Sequence, residues 1–229
     1  MCFSATASIS LGLVLVPVGI YSIKRAGALP AGFRVLALTP LLFGLQQTLE
    51  GFVWLGLASG DVFATRLSAL GFNFFSLFFW LVWIPLCCYS IEPSALKRKL
   101  FSLLFMLGLA HGLSLYVPLL LYKDWLTVEI VGHSINYSAR LLHDGHVPII
   151  FLQILYPLII IAPLLLSSNG HVKILGVITL SSLLLTRLHF DYALISVWCY
   201  FAAVSSIYIL FMIIQTLKRA EKSAVGITI

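Results

Sequence analysis

Charge is what this sequence has least of. Only 10% of its 229 residues are Asp, Glu, Lys or Arg, where a water-facing domain carries roughly 25%. A surface so poor in charge has to face something other than water, which excludes a free-standing soluble domain. The formal net charge of +6 does not signal nucleic acid, because the cations sit in short clusters such as Lys24-Arg25 and Lys97-Arg98-Lys99 between apolar runs. No basic helix face and no aromatic-basic interleaving exists, so nucleic acid is not an expected partner.

Other absences narrow the chemistry. There is no Walker sequence, no Rossmann glycine pattern, no GxSxG and no HExxH. The four cysteines, Cys2, Cys87, Cys88 and Cys199, form no CxxC pair, and the adjacent Cys87 and Cys88 are badly placed to bridge each other. No positive stretch precedes the apolar residues 8–23, and Lys24-Arg25 follow them. A secretory leader has the reverse charge order, so a retained first helix is expected. No lysine lies in the last apolar segment, which argues against a retinal Schiff base.

What is present is long apolar sequence: 61% of residues are hydrophobic and the mean hydropathy is +1.06. A helix crossing the hydrocarbon needs about 20 mostly apolar residues. Seven segments qualify, at about 5–23, 36–58, 67–90, 100–122, 147–168, 172–188 and 192–215. Backbone groups in lipid must satisfy themselves, so these are helices. The expected fold is all-α, a single polytopic bundle over 1–229 with the lipid bilayer as its partner. The connections holding Lys24, Arg25, Arg34, Lys97, Arg98, Lys99, Lys173, Lys218, Arg219 and Lys222 alternate with those holding Arg66, Lys123, Arg140 and Arg187. The positive-inside rule puts the first set in the cytoplasm, with the N-terminus outside and a short basic tail at 216–229 inside. The longest connection, 123–146, falls outside. Its β-branched and aromatic residues, broken at Gly132, fit a short hairpin or an interfacial helix over the bundle mouth; an ordinary solvated loop is the alternative.

Glu50 is the most informative residue. An ionisable group deep in an apolar segment costs roughly 3 kcal/mol, so it faces the bundle interior or water and needs partners. At 100° per residue Gln46, Gln47, Glu50 and Trp54 share one arc of about 100°. That stripe reads as the wall of a ligand site or as interhelical glue. Asn73, His111, Ser196, Trp198 and Cys199 are able to converge on it in a closed bundle. At the rim, His143 and His146 stand three residues apart and, with His189 and Asp191, make candidate ligands for a divalent metal. Removal of Met1 would expose Cys2, whose amine and thiol would chelate or act as a nucleophile; Cys199 is the other candidate nucleophile.

The opening Met1-Cys2-Phe3-Ser4-Ala5-Thr6-Ala7-Ser8 and the stretch Leu42-Phe43-Gly44-Leu45-Gln46-Gln47-Thr48-Leu49-Glu50-Gly51-Phe52-Val53-Trp54 resemble an uncharacterised family of bacterial multi-pass membrane proteins that begin Met-Cys-Phe-Ser. His133-Ser-Ile-Asn-Tyr137 and Trp198-Cys199-Tyr200-Phe201-Ala202-Ala203 extend the likeness. The resemblance implies a bacterial cytoplasmic membrane and brings no activity with it. The seven-helix hydrolases that include alkaline ceramidases fit the helix count, but they carry an HxxxH zinc pair in the last helix, where this sequence has no histidine. Three readings follow: an outward-facing polar pocket around Glu50 that binds or transports a small molecule or ion, a membrane enzyme dependent on metal or cysteine, and a structural or partner-binding subunit.

Overall fold

A computed structural model describes residues 4–140, 142 and 149–224. The chain runs up and down through long helices: α1 (Ala5–Ala26), the short α2 (Ala31–Ala37), α3 (Thr39–Ser59), α4 (Val62–Asn73), a π-helical turn (Phe74–Phe79), α5 (Trp80–Ile91), α6 (Ala95–Leu121), α7 (Ile149–Leu166), α8 (Gly170–His189) and α9 (Leu194–Ala224). Between α6 and α7 lies an antiparallel hairpin, β1 (Leu126–Val131) and β2 (Ser134–Ala139). The seven apolar segments of the sequence correspond to α1, α2–α3, α4–α5, α6, α7, α8 and α9. Five helical stretches are long and apolar enough to cross a membrane: Ala5–Ala26, Val62–Ile91, Ala95–Leu121, Gly170–His189 and Asp191–Lys222. The expected seven are not reached by that measure. In α7 the described apolar stretch is the shorter Phe151–Leu166, and α3 carries Gln46, Gln47 and Glu50. Side chains such as Leu13, Leu103, Ile154 and Leu185 are more than half exposed on the outer surface, an apolar exterior suited to hydrocarbon.

The fold is a helical bundle, as expected, and of the alternatives for the 123–146 connection its described part forms the hairpin. α9 continues through the first residues of the basic tail to Ala224.

The helices start and stop where local chemistry directs. Ser4 caps α1 by accepting from the Ala7 N–H at 3.2 Å, and Asp61 caps α4 by accepting from Ala64 at 2.9 Å. Gly60, at φ +69°, ends α3 in the left-handed conformation that glycine adopts without strain. The α2–α3 break falls at Leu38, and Pro40, with no N–H to donate back to α2, sits in the first turn of α3 where none is needed. In the hairpin Val131 pairs with Ser134 across Gly132-His133, with Gly132 at φ +60°. Glycine at the first central position is what a type II′ turn requires. The alternation then puts Val128, Ile135 and Tyr137 on one face and Glu129, Asn136 and Ser138 on the other.

α1 and α3 make the closest antiparallel pair. Gly12 and Gly19 on α1 and Gly44 and Gly51 on α3 are each seven residues apart and face the other helix. A Cβ at Gly12 would lie 2.5 Å from Thr48 Oγ1, and one at Gly44 3.0 Å from the Val16 nitrogen. Helices in lipid gain nothing from excluding water, so close backbone approach through small residues supplies the packing. A second close approach falls where the backbone lacks a hydrogen bond. Pro85 has no N–H for the Leu81 carbonyl, and Gly108 of α6 sits directly against that oxygen.

At the end opposite the hairpin, Glu92 pins the α5–α6 connection to the α7–α8 connection. Its carboxylate accepts from the Ser94 N–H (3.2 Å), the Ser168 N–H (2.8 Å) and the Ser167 hydroxyl (3.4 Å). Burial pushes its acidity toward the neutral form, but these donors together with the Lys97 ammonium outweigh that and hold the carboxyl below its usual range.

Two outcomes test this account. Gly19→Val, which drives a branched side chain into the α3 backbone at Leu41, lowers stability by on the order of 1–3 kcal/mol, whereas Gly170→Ala, which meets nothing within 4 Å, leaves thermal unfolding in detergent unchanged. A carboxyl with depressed folded pKa stabilises above its unfolded value and loses that contribution as pH falls through the folded value. Wild type is therefore more stable than Glu92→Gln at neutral pH, and the difference closes below about pH 4; an equal difference at pH 3 and pH 7 would refute the clamp.

Candidate functional site

Glu50 is buried, with 2% of its surface exposed. Its two oxygens accept from different helices. The Ser8 hydroxyl of α1 donates to Oε2 at 3.4 Å, and the Ser196 hydroxyl of α9 donates to Oε1 at 2.5 Å. Both serines stand in the first turn of their helices. A helix N-terminus carries a partial positive charge, which favours a carboxylate nearby. The Gln47 side chain lies against the same carboxylate, yet neither its Oε1 nor its Nε2 makes a hydrogen bond of ordinary geometry. The hairpin adds Tyr137, buried and stacked on Phe72 at 4.8 Å between ring centres. Among the described residues its hydroxyl has no hydrogen-bond partner, and it stands within the field of Glu50 and Cys199.

The other expected residues divide. Gln46 accepts the Trp80 indole N–H at 2.8 Å, which ties α3 to the end of the π-turn. Trp54 packs half-buried against the apolar core, with no hydrogen bond to Glu50. Asn73 is spent on its own helix: its amide donates to the Ala69 carbonyl at 2.9 Å, and its oxygen accepts from Ser76 at 3.3 Å where α4 passes into the π-turn. The π-turn itself was not expected; its Ser76 carbonyl accepts from the Tyr156 hydroxyl of α7.

Two cavities adjoin this cluster. The larger, about 580 Å³, lies at the hairpin end among α6, α7, α8, α9 and β2, with His111, Tyr137, Tyr156, Trp198 and Cys199 on its wall. Gln153, Arg187 and Asp191 mark its rim, where Arg187 donates to Gln153 at 3.0 Å and pairs with Asp191 at 2.7 Å. The smaller, about 50 Å³, lies deeper and shares Tyr156, Trp198 and Cys199 with it. Trp198 is fixed by its indole N–H to the Thr179 carbonyl at 3.4 Å. Glu50 lines neither cavity; Tyr137 and the first turns of α9 stand between it and the larger one. Cys87, Cys88 and Cys199 are buried free thiols.

The metal and nucleophile candidates gain little company. His189 is exposed at the end of α8, and Asp191 is engaged by Arg187. Among the described residues no three of His, Cys, Asp and Glu come together. Cys2, His143 and His146 lie outside the described residues.

The chain matches, over residues 1–224, the model of a family of unknown function (DUF6629). It belongs to that family. No curated protein and no solved structure matches it. Membership brings no activity, so the site is read from its geometry.

Glu50, Gln47 and Ser196, which the sequence reading grouped as candidates, lie side by side; Ser8 and Tyr137 were not among those candidates. Ser8 was legible in principle: it sits one turn into an apolar segment at the depth Glu50 reaches from the other direction. Tyr137 was not, since its approach depends on the hairpin folding inward.

The Ser196–Glu50 bond is testable by a double-mutant cycle in thermal unfolding. Ser196→Ala removes a donor to a buried carboxylate and costs about 2 kcal/mol. With Glu50→Gln already present the same change costs about half as much. Equal costs in the two backgrounds would show that the serine does not act on the carboxylate.

Proposed function

We propose that the chain is a single seven-helix membrane domain that binds or transports a small molecule through its hairpin-end cavity. α3 and α7 complete the seven spans, the hairpin end faces outward, and the basic end lies in the cytoplasm of a bacterial cell. The observation that carries the reading is the cavity itself. Its volume falls in the range of roughly 300–1,000 Å³ that small-molecule sites occupy, and its wall is mostly apolar with a few placed polar groups. The aromatic residues Tyr137, Tyr156 and Trp198 and the thiol of Cys199 line its floor, while Arg187 and Asp191 stand at the rim. That chemistry fits an amphipathic molecule whose apolar part enters first. α7 is strongly apolar, with its described apolar stretch at Phe151–Leu166, and α3 spans despite its composition: its polar stripe is turned wholly inward, with Gln46, Gln47 and Glu50 at 0–2% exposure, which is how intramembrane polar residues are accommodated. The Glu50 cluster behind the cavity wall is the charge-responsive element of this reading.

Cysteine accessibility tests orientation and cavity together. In a background with Cys2, Cys87, Cys88 and Cys199 replaced, a small membrane-impermeant thiol reagent added to intact cells modifies Ile195→Cys on the cavity wall. It spares Ile174→Cys on the outer face of α8. Lys99→Cys reacts only after the membrane is permeabilised. Labelling of Lys99→Cys in intact cells would reverse the orientation; an inert Ile195→Cys would close the cavity to water and end the binding reading.

A further inference from the structure

The Glu50 cluster has an unbalanced charge. Among the described residues no Lys or Arg pairs with the carboxylate, and the one ion pair of the region, Arg187–Asp191, stands at the rim of the cavity. The groups facing Glu50 are instead oxygen-bearing and neutral: the Ser8 hydroxyl of α1, the Ser196 hydroxyl of α9, the Gln47 amide of its own helix and the Tyr137 hydroxyl of β2. The ionisable groups that face it are Tyr137 and, from α9, Cys199. Two of the oxygens have no hydrogen-bond partner among the described residues. Gln47 is fully buried with a bare Oε1, and Tyr137 is 5% exposed with a bare hydroxyl. An orphaned acceptor beside a buried carboxylate with no cationic partner costs free energy that a positive occupant recovers.

We infer that Glu50, Ser8, Ser196, Gln47 and Tyr137 form a binding site for one sodium-class monovalent cation. The argument rests on the charge and on the ligand type. One carboxylate calls for one positive charge, and the side chains that act on Glu50 are Ser8, Ser196 and Gln47, with no second carboxylate among them to favour a divalent ion. Hard cations take oxygen ligands from carboxylates, amide carbonyls and hydroxyls, and each serine that donates its proton to Glu50 keeps lone pairs free. Both serine hydroxyls donate to the carboxylate from the first turns of α1 and α9, a setting that suits a charged carboxylate, and a cation bound beside it supplies the balancing charge. This deepens the transport reading: the ion site lies just behind Tyr137 and Cys199, which the cavity wall shares, the placement a coupling ion takes beside its substrate.

The site is tested on purified full-length protein, with no need to know the ligand. Thermal unfolding is followed in sodium, potassium and N-methylglucamine chlorides at equal ionic strength. Sodium raises the melting temperature saturably, by about 5–10 °C at a hundredfold excess over its Kd. The half-effective sodium concentration rises as pH falls, because protons compete for the same carboxylate. Glu50→Gln and Gln47→Leu lose the response, whereas Trp54→Phe, on the same arc but without a bond to Glu50, keeps it. Should Glu50→Gln fail to fold, Gln47→Leu carries the test. Identical melting in the three salts at every pH would overturn the proposal and assign a proton to Glu50, and so would an undiminished sodium response in Glu50→Gln. Neither result touches the labelling of Ile195→Cys, so the cavity reading stands or falls separately.

Discussion

A carboxylate in a low-dielectric bundle has to be held by everything around it, and Glu50 sets that requirement here. Removing such a group from water without hydrogen bonds costs several kcal/mol. The two hydroxyls that meet it come from α1 and α9, so three helices distant in sequence are joined at one point. The glycine-lined contact between α1 and α3 is a condition of that arrangement. Ser8 lies one turn before Gly12, and Gly51 follows Glu50 directly and packs on Ile9. Bulkier residues at these positions would separate the helices and carry the Ser8 hydroxyl out of range. Small residues and the buried acid are therefore one device, with packing setting the distance that the hydrogen bond needs.

The same economy governs the backbone irregularities. Pro85 and the π-turn at Phe74–Phe79 each leave carbonyls that an unbroken helix would have satisfied. In hydrocarbon no water makes up the deficit. Gly108 presses against one of these oxygens, and Tyr156 donates to another, the Ser76 carbonyl. Trp80, at the end of the π-turn, stacks on Phe43 at 3.9 Å and donates to Gln46. The distorted stretch thus faces α3 on one side and the cavity on the other, and it is fixed on both.

How much of this was legible follows from the range of each signal. Helix positions were readable because hydrophobic runs and their breaks are local: α1, α4–α5, α6 and α8 fall within a few residues of their apolar segments. The Gln46–Gln47–Glu50 stripe was readable because helical periodicity is local too. The hairpin was one of three alternatives until Gly132 and the inward face of β2 decided it. The π-turn was hidden because an inserted residue leaves no mark in a segment that is apolar and aromatic throughout. The cavity was hidden for another reason: it is made by elements far apart in sequence, from the π-turn to α9, and expectation had centred the pocket on Glu50. The structure puts the open space beside the acid, because the serines and Tyr137 close over it.

That displacement changes what Glu50 is able to do. An acid lining an open pocket would be hydrated and would touch ligand directly. An acid enclosed behind Tyr137 acts through the elements that enclose it. Tyr137 belongs to a two-stranded hairpin, which is marginal by itself and depends on what it packs against. Its ring is held by Phe72 on one side and borders the cavity on the other, while its hydroxyl stands in the field of Glu50. α9 makes the second connection, since Ser196 bonds the acid and Cys199, one turn on, lines the cavity. On the proposed reading, a change of charge at Glu50 alters the forces on Tyr137 and on the first turn of α9, and a molecule in the cavity presses on the same two elements. Coupling between two sites requires that each bias a shared structure, and here that shared structure is the hairpin tyrosine and the start of the last helix.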